Sequence, residues 1–350
     1  MAENVDYIIV GQGLAGATLA VQLLKLDKKI VVIDEPARNR ASRVAAGLFN
    51  PVTGQNSVRT WMADQLFPYL HTFYRDVEHR TGRKFFHSQT IYKPFSSVAE
   101  QNDWMARSAE PGYAEFVDRI SLVPSFGSLL RDDFGGLFLK QSGFLNTNYF
   151  LDGVAEWIRS RGLFLDEPFV DENLRVFPDF VEYGSVKALK IIFCQGERTT
   201  SNKWFRNAPV RALKGETLRI KIAWDKDVIL NRGVYMVPES VAGEFRVGAT
   251  YKFNDRTPGV TAEGRNELME KLNGFLNIPF EVLGQDWGIR PTTNDRKPLL
   301  GCHKESERLV FFNGLGTKGV TLAPYFSEML SRWLENSAPI HKEVALTRFK

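Results

Sequence analysis

The chain has 350 residues, 43% of them apolar and 25% charged, with a net charge of +4 from 45 basic and 41 acidic side chains. This composition excludes disordered, collagen-like and coiled-coil proteins, and the length allows two domains or one elaborated domain with a large core. No apolar run reaches the ~18 residues that span a bilayer, so no membrane partner is expected.

Asp6–Val10 is a short β-rich run that stops at Gly11. Leu14–Leu26 carries Leu19, Leu23 and Leu26 at helical spacing, and Lys29–Ile33 is a second strand ended by Asp34-Glu35-Pro36. These segments form a βαβ unit, which implies parallel strands and an α/β fold. Thr60–Arg80 reads as an amphipathic helix with Trp61, Leu66, Leu70, Phe73 and Val77 on one side. Phe85–Phe95 reads as a strand, Leu145–Arg161 as a helix stopped by Gly162, and Val186–Phe193 as an apolar strand ending at Cys194-Gln195-Gly196. Tyr235–Val237 and Phe245–Tyr251 read as strands around Glu239–Gly243. Thr261–Leu276 is a helix with Thr261 as N-cap, Leu309–Phe312 a buried strand and Val320–Leu334 a closing helix.

Gly11-Gln12-Gly13-Leu14-Ala15-Gly16 fits the G-x-G-x-x-G dinucleotide pattern in its proper strand–turn–helix setting. Gly11 permits the tight turn, Gly13 lets a pyrophosphate approach the backbone, and Gly16 lets helix and strand pack closely. The helix N-terminus, with the amides of Leu14, Ala15 and Gly16, offers donors and positive partial charge to phosphates. Asp34, with Glu35 beside it, is placed to accept hydrogen bonds from a ribose diol. Arg38 and Arg40 either meet a 2′-phosphate or are solvated loop residues. The pattern alone does not separate FAD from NAD.

Cysteine is scarce: Cys194 and Cys302 cannot make a disulfide framework, which fits a reducing, cytoplasmic setting, and Cys302 reads as a small buried residue. The N-terminus shows no secretory pattern. No two of the five histidines are closer than eight residues, so no metal is expected.

Five further segments decide the cofactor. Arg43-Val-Ala-Ala-Gly-Leu-Phe-Asn-Pro51, Lys214-Gly-Glu-Thr-Leu218, Tyr235-Met-Val-Pro238 with Arg246-Val-Gly-Ala-Thr250, Gly288-Ile-Arg-Pro291 through Pro298 and Gly301, and Asn313–Pro324 occur in that order. Together with the glycine loop they resemble the FAD-dependent D-amino acid oxidase superfamily, in its glycine oxidase and sarcosine oxidase branch, over nearly the whole chain. The resemblance implies a discontinuous, doubly wound FAD domain (1–84, 141–206 and 286–350) and an α+β substrate domain with an antiparallel sheet (85–140 and 207–285). It also implies oxidation of the C–N bond of a small amino acid or N-substituted glycine.

The same resemblance assigns roles to residues. Arg290 would fork the substrate carboxylate beside the flavin, with Tyr235 as a further donor; the competing readings are an Arg290–Asp295 ion pair and an ordinary half-buried strand tyrosine. Arg43, Ala45, Ala46, Gly47 and Gly196 would border the cofactor. Gly314, Gly316, Thr317, Gly319, Val320 and Thr321 would present backbone amides to the flavin ring, with Lys318 adding a cation or lying exposed beside a turn. Arg246 matches a lysine that faces the flavin in sarcosine oxidases and promotes reaction with oxygen; otherwise it is an exposed strand arginine.

Departures from the pattern matter too. Glycine oxidases carry a second arginine where this chain has Thr317 and a histidine where it has Gly233. Sarcosine oxidases attach FAD through a cysteine where this chain has Gly288, so non-covalent FAD is expected. The loop Gly314–Gly319 is closer to the oxidase domain that removes a carboxymethyl group from a tRNA wobble uridine. Arg198, Lys203, Arg206, Arg211, Lys214, Arg219 and Lys221 allow a tRNA partner, although such a charge run is usually a solvated face. A non-catalytic flavin-binding protein is a third reading, against which Arg290 and Tyr235 both stand.

Overall fold

The computed structural model describes residues 3–35, 40–54, 57–161 and 164–349. The central strand Glu3–Val10 pairs in parallel with Ile30–Ile33 on one side and Val186–Phe193 on the other. Ile8 and Ile9 point to opposite faces and are both fully buried, as expected of a parallel strand covered on both sides. Phe164–Leu165 extends the sheet beyond Ile30–Ile33. Ser306–Asn313 joins the C-terminal half of Val186–Phe193 in parallel, and Val181–Tyr183 joins its first half antiparallel. The helix Leu14–Lys25 is buried from Leu14 to Leu24 and packs on the closing helix Gly319–Asn336.

A second, nine-stranded sheet is mostly antiparallel. Its spine is the pair Arg211–Ile222 and Phe280–Thr292, in register from Arg211 opposite Thr292 to Ile222 opposite Phe280, with one irregularity at Arg219/Ile220. The hairpin Val234–Pro238/Glu244–Gly248 lies beside it, and Lys252–Phe253 pairs with Leu213 and Lys214. Alternation divides the residues between two faces. Leu218, Ile220, Met236 and Val247 form a core with Leu268 and Leu272 of the helix Ala262–Asn273. The other face carries Gly215, Thr217, Arg219, Tyr235, Arg246, Gly248, Asp286, Gly288 and Arg290.

Several elements differ from the sequence reading. Phe85–Phe95 is two strands, not one. Phe86–Ser88 enters a small sheet with Leu48–Phe49 and Gly143–Leu145, while Ile91–Pro94 enters the nine-stranded sheet, because Phe86 and Tyr92 are buried in different clusters. The helix expected from Leu145 begins at Thr147, since Gly143–Leu145 is a strand and the Asn146 side chain caps the Tyr149 amide at 3.1 Å. It ends at Arg159; the stop assigned to Gly162 lies outside the described residues, as does Arg38. Thr261 does cap its helix, accepting from the Gly264 amide at 3.0 Å. Cys194 is buried, but Cys302 is only half-buried. Strand Phe280–Thr292 runs unbroken through position 286.

Among the described residues no helix is long and apolar enough to cross a membrane. Close backbone approach at the first turn is the tightest constraint in the βαβ unit. A Cβ on Gly16 would lie 1.8 Å from the Gly11 carbonyl oxygen, whereas one on Gly13 would meet only the Ser42 hydroxyl at 3.2 Å. Gly16→Ala is therefore expected to cost about 1–3 kcal/mol, the usual range for overpacking. Gly13→Ala should cost less than half as much, as read from denaturant midpoints at constant slope.

Candidate cofactor and substrate site

The glycine loop builds an open anion site. Gly11 has φ +99°, and a Cβ there would lie 2.6 Å from the Cys194 carbonyl oxygen. Gly13 is the extended N-cap of Leu14–Lys25, which has no side-chain cap and no acidic residue in its first turn. Ser42, which the sequence reading passed over, accepts the Leu14 amide at 3.1 Å. It stands immediately before Arg43 in the segment already singled out, so its place there was the available signal.

The second helix N-terminus has the same character. Gly319–Asn336 also starts without a side-chain cap or a first-turn acid. A Cβ on Gly319 would lie 2.9 Å from the Leu14 side chain, so the two helix starts are neighbours. Leu14 gives its amide to Ser42 and Thr321 gives its amide to the Lys318 carbonyl at 3.0 Å, while the amides of Ala15, Gly16, Gly319 and Val320 have no intrahelical acceptor, so the two starts together present donors and positive dipole ends. The loop between them is pinned: the Gly316 amide donates to the Pro291 carbonyl at 2.8 Å, and Gly314 and Gly316 take φ +77° and +55°. Asn313 donates to the Gly196 carbonyl at 2.8 Å and accepts the Gly314 amide at 2.8 Å, joining the Gly196 turn to this loop. Thr317 is exposed, and Val320 and Thr321 are buried.

Around this cradle the acidic residues are already partnered. Arg40 pairs with both oxygens of Asp34 and donates to the Glu35 carbonyl, so it is not a solvated loop arginine. Glu35 pairs with Arg198. Arg43 turns toward the helix Thr147–Arg159 and pairs with Asp152 at 2.5 Å. Ala45 accepts from the Thr147 hydroxyl at 3.4 Å, and Ala46 is half-buried against the main core. Gly47, at φ +71°, lies so close to Leu145 that a Cβ would sit 1.8 Å from its carbonyl oxygen. Gly288 packs on the backbone of Ala41, with a notional Cβ at 3.2 Å.

Lys318 is half-buried, not an exposed lysine beside a turn. Its ammonium donates to the Thr60 hydroxyl at 3.1 Å, and Thr60 donates to the Asn50 carbonyl at 3.2 Å. No carboxylate among the described residues pairs with it. Burial, helped by nearby Arg296, pushes its pKa down to about 8.

Arg290 and Tyr235 stand on the polar face of the antiparallel sheet. The Arg290 guanidinium lies flat over Gly215, where a Cβ would be 2.1 Å from Nη1, and 5.2 Å from the Tyr251 ring centre. Its one hydrogen bond among the described residues is a long one, 3.4 Å to the Thr250 carbonyl. Asp295 pairs instead with Arg348 at 2.9 Å and Asp286 with Arg246 at 3.0 Å, so Arg290 has no acidic partner among the described residues. The Tyr235 ring covers Gly248, where a Cβ would be 2.6 Å from the hydroxyl, and that hydroxyl has no partner among the described residues. Burial raises its pKa to about 12 and the Arg290 charge opposes the rise, so the phenol stays a donor at neutral pH.

Arg246 is neither exposed nor a free cation. Its side chain is 11% exposed and pairs with Glu239 at 2.6 Å and Asp286 at 3.0 Å, while also donating to the Val44 carbonyl at 3.3 Å. It lines a cavity of about 370 Å³ with Arg43, Val44, Arg219, Glu239 and Asp286. The basic run Arg198–Lys221 does not form one surface. Lys214 is buried, Arg198 pairs with Glu35, and Arg219 lies 3.6 Å from Asp286. Among the described residues no cluster could hold a metal ion.

Two adjoining helix starts without first-turn acids, a glycine turn whose Gln12 side chain is turned away to the Leu151 carbonyl and a carboxylate at the end of the second strand fit a dinucleotide with its diphosphate. The model of the DAO family of FAD dependent oxidoreductases matches residues 6–333, and the chain belongs to that family. It is an FAD-dependent enzyme. Glycine oxidase of Bacillus subtilis is 32% identical over 96% of this chain and 94% of its own length, and that of Bacillus licheniformis is 24% identical over 95% and 93%. The bifunctional protein of tRNA 5-methylaminomethyl-2-thiouridine biosynthesis from Hydrogenovibrio crunogenus is 25% identical over 86% of this chain but only 47% of its own. The crystal structure of glycine oxidase from Geobacillus kaustophilus shares the fold, with a TM-score of 0.80 at 19% identity over 99% of both chains.

Lys318 provides a pH test. Its folded pKa lies below that of the unfolded chain, so between about pH 8 and 10.5 the unfolded chain binds more protons and stability rises with pH. Below pH 8 the buried charge is a fixed penalty. In the flavin-free protein, Lys318→Met should gain most over wild type below pH 8, and the gap should close toward pH 10.5. A pH-independent gap in denaturation midpoints would place the ammonium in solvent.

Proposed function

We propose that the protein oxidises the C–N bond of a small amino acid or N-substituted glycine, with Arg290 holding the substrate carboxylate. The observation that carries this reading is a half-buried guanidinium with no acidic partner among the described residues, laid over Gly215 on the sheet face that also carries Tyr235. Such a fork suits a carboxylate, and an unpaired cation there is costly without one. Tyr235, still protonated at neutral pH, donates a further hydrogen bond to the same group. Bound FAD would supply the hydride acceptor for the substrate carbon.

The chain's own residues would bind and orient. The first-turn amides of Ala15, Gly16, Gly319 and Val320 would hold the diphosphate and the ring edge, with Leu14 and Thr321 positioned beside them by their bonds to Ser42 and the Lys318 carbonyl, Asp34 would hold the ribose, and Lys318 would balance negative charge on the ring. We assign cofactor binding to 1–84, 141–206 and 286–350 and substrate binding to 85–140 and 207–285, with the sheet pair 211–222/280–292 shared at the seam. The two unpaired cysteines support a cytoplasmic setting. The second reading, removal of a carboxymethyl group from a tRNA uridine, is supported by the tRNA-modifying relative and would use the same Arg290. The dispersal of the basic run weighs against it.

Arg290→Ala should weaken carboxylate ligands and substrate by about 2–5 kcal/mol, roughly 30- to several-thousand-fold. Arg290→Lys should also be impaired, because it keeps the charge but loses the fork. The check is benzoate perturbation of the flavin spectrum and anaerobic bleaching by glycine and N-methylglycine; wild-type values in Arg290→Ala would make the residue structural.

Gly288 offers no attachment atom, so the flavin is expected to be non-covalent. Acid precipitation should release the yellow colour into the supernatant, and colour left in the pellet would contradict this.

A further inference from the structure

We propose that Tyr251 and Phe253 form a platform for a planar aromatic group on the substrate nitrogen, so that N-arylmethyl glycines are preferred to N-methylglycine. This rests on the carboxylate role of Arg290. Tyr251 is 54% exposed and Phe253 63% exposed, unusual for side chains whose burial is worth so much. Single exposed apolar residues need no explanation. These two adjoin the substrate anchor, however. The Tyr251 ring lies under the Arg290 guanidinium, and Phe253 is opposite Leu213, which is itself opposite Arg290. Directly paired residues share a sheet face, so Phe253 and Arg290 point the same way, two strand spacings or about 10 Å apart at the backbone.

The segment that carries the rings is held firmly. The Asn254 amide donates to the Ala212 carbonyl at 2.8 Å. Lys214, 1% exposed, reaches under the sheet to the Thr257 hydroxyl at 3.3 Å and lies 3.9 Å from Asp255. Glu216, fully buried, accepts the Thr261 amide and hydroxyl, both at 2.8 Å. Two buried charged side chains thus fix a loop whose outward face is aromatic. Binding a flat group there needs no ordering of the loop, which favours affinity. A substituent leaving the amine, with the carboxylate on Arg290, meets the Tyr251 ring first and Phe253 next.

The test is anaerobic titration of the holoenzyme with N-benzylglycine and N-methylglycine, reading the dissociation constant from the flavin spectrum and the bleaching rate separately. The wild type should bind N-benzylglycine at least about 10-fold more tightly than N-methylglycine. That ratio should fall by about 2- to 12-fold in Phe253→Ala and again in Tyr251→Ala, and Phe253→Tyr should restore it. Equal affinities in the wild type, or a ratio untouched by both alanine variants, would overturn the platform. So would a Phe253→Ala variant that changes only the sedimentation of the protein, because the ring would then be a contact between copies. If N-methylglycine bleaches the flavin and N-benzylglycine does not, the platform alone fails. If neither amine bleaches it, the amine-oxidising reading fails and the platform with it.

Discussion

The site depends on a steric permission: position 215 has no side chain. Strand Arg211–Ile222 is paired along all twelve residues with Phe280–Thr292, and in that register Gly215 leaves the space into which the Arg290 guanidinium folds. Gly248 does the same for the Tyr235 ring one strand further on. A Cβ at either position would overlap the functional group, and both strands are too heavily paired to move aside. Lys214 and Glu216, the neighbours of Gly215, face the opposite way and anchor the loop that follows Phe253. The Lys-Gly-Glu triplet therefore serves both faces of one strand.

Electrostatics divide the site into two regions. The cradle made by the starts of Leu14–Lys25 and Gly319–Asn336 is positive because helix dipoles, unpaired amides and Lys318 add together, with neither helix carrying an acid in its first turn. The cavity around Arg246 is lined by Arg43, Arg219 and Arg246 and by the acids Glu239, Glu244 and Asp286, so its charges balance. Glu239 and Asp286 neutralise its guanidinium, and the contact with the Val44 carbonyl makes it a strut between the sheet and the Arg43–Gly47 loop. A fixed unpaired cation is thus present at Arg290 and Lys318 but not at Arg246. Sequence position could not tell these three residues apart, because an ion pair depends on which acids the fold brings near.

Much was legible beforehand. The βαβ unit, the glycine loop and the closing helix follow from periodicity and from glycines at positions where close approach or positive φ demands them, and local sequence carries that information. The motif residues Arg290, Tyr235 and Gly314–Gly319 rest on resemblance; the fold sets the Gly316 amide on the Pro291 carbonyl beside Arg290, and Arg290 and Tyr235 on one sheet face. Ser42, Thr60 and Asn50 were passed over, because a hydroxyl or amide is unremarkable in sequence until a distant amide or ammonium is set against it.

Only the tertiary structure decided the partners of the charges. It paired Asp34 with Arg40 and Asp295 with Arg348, buried Lys214 and Glu216, and left Arg290 without a carboxylate among the described residues. It also split Phe85–Phe95 between two sheets, since a run of apolar residues does not state which core it will enter. Backbone geometry is settled over a few residues, so the chain's α/β beginning and its dinucleotide turn could be read directly. The long strand pair that sets Gly215 opposite Gly288, and the ion pairs Arg246–Asp286 and Asp295–Arg348, join residues far apart in sequence, and that information exists only once the chain has folded.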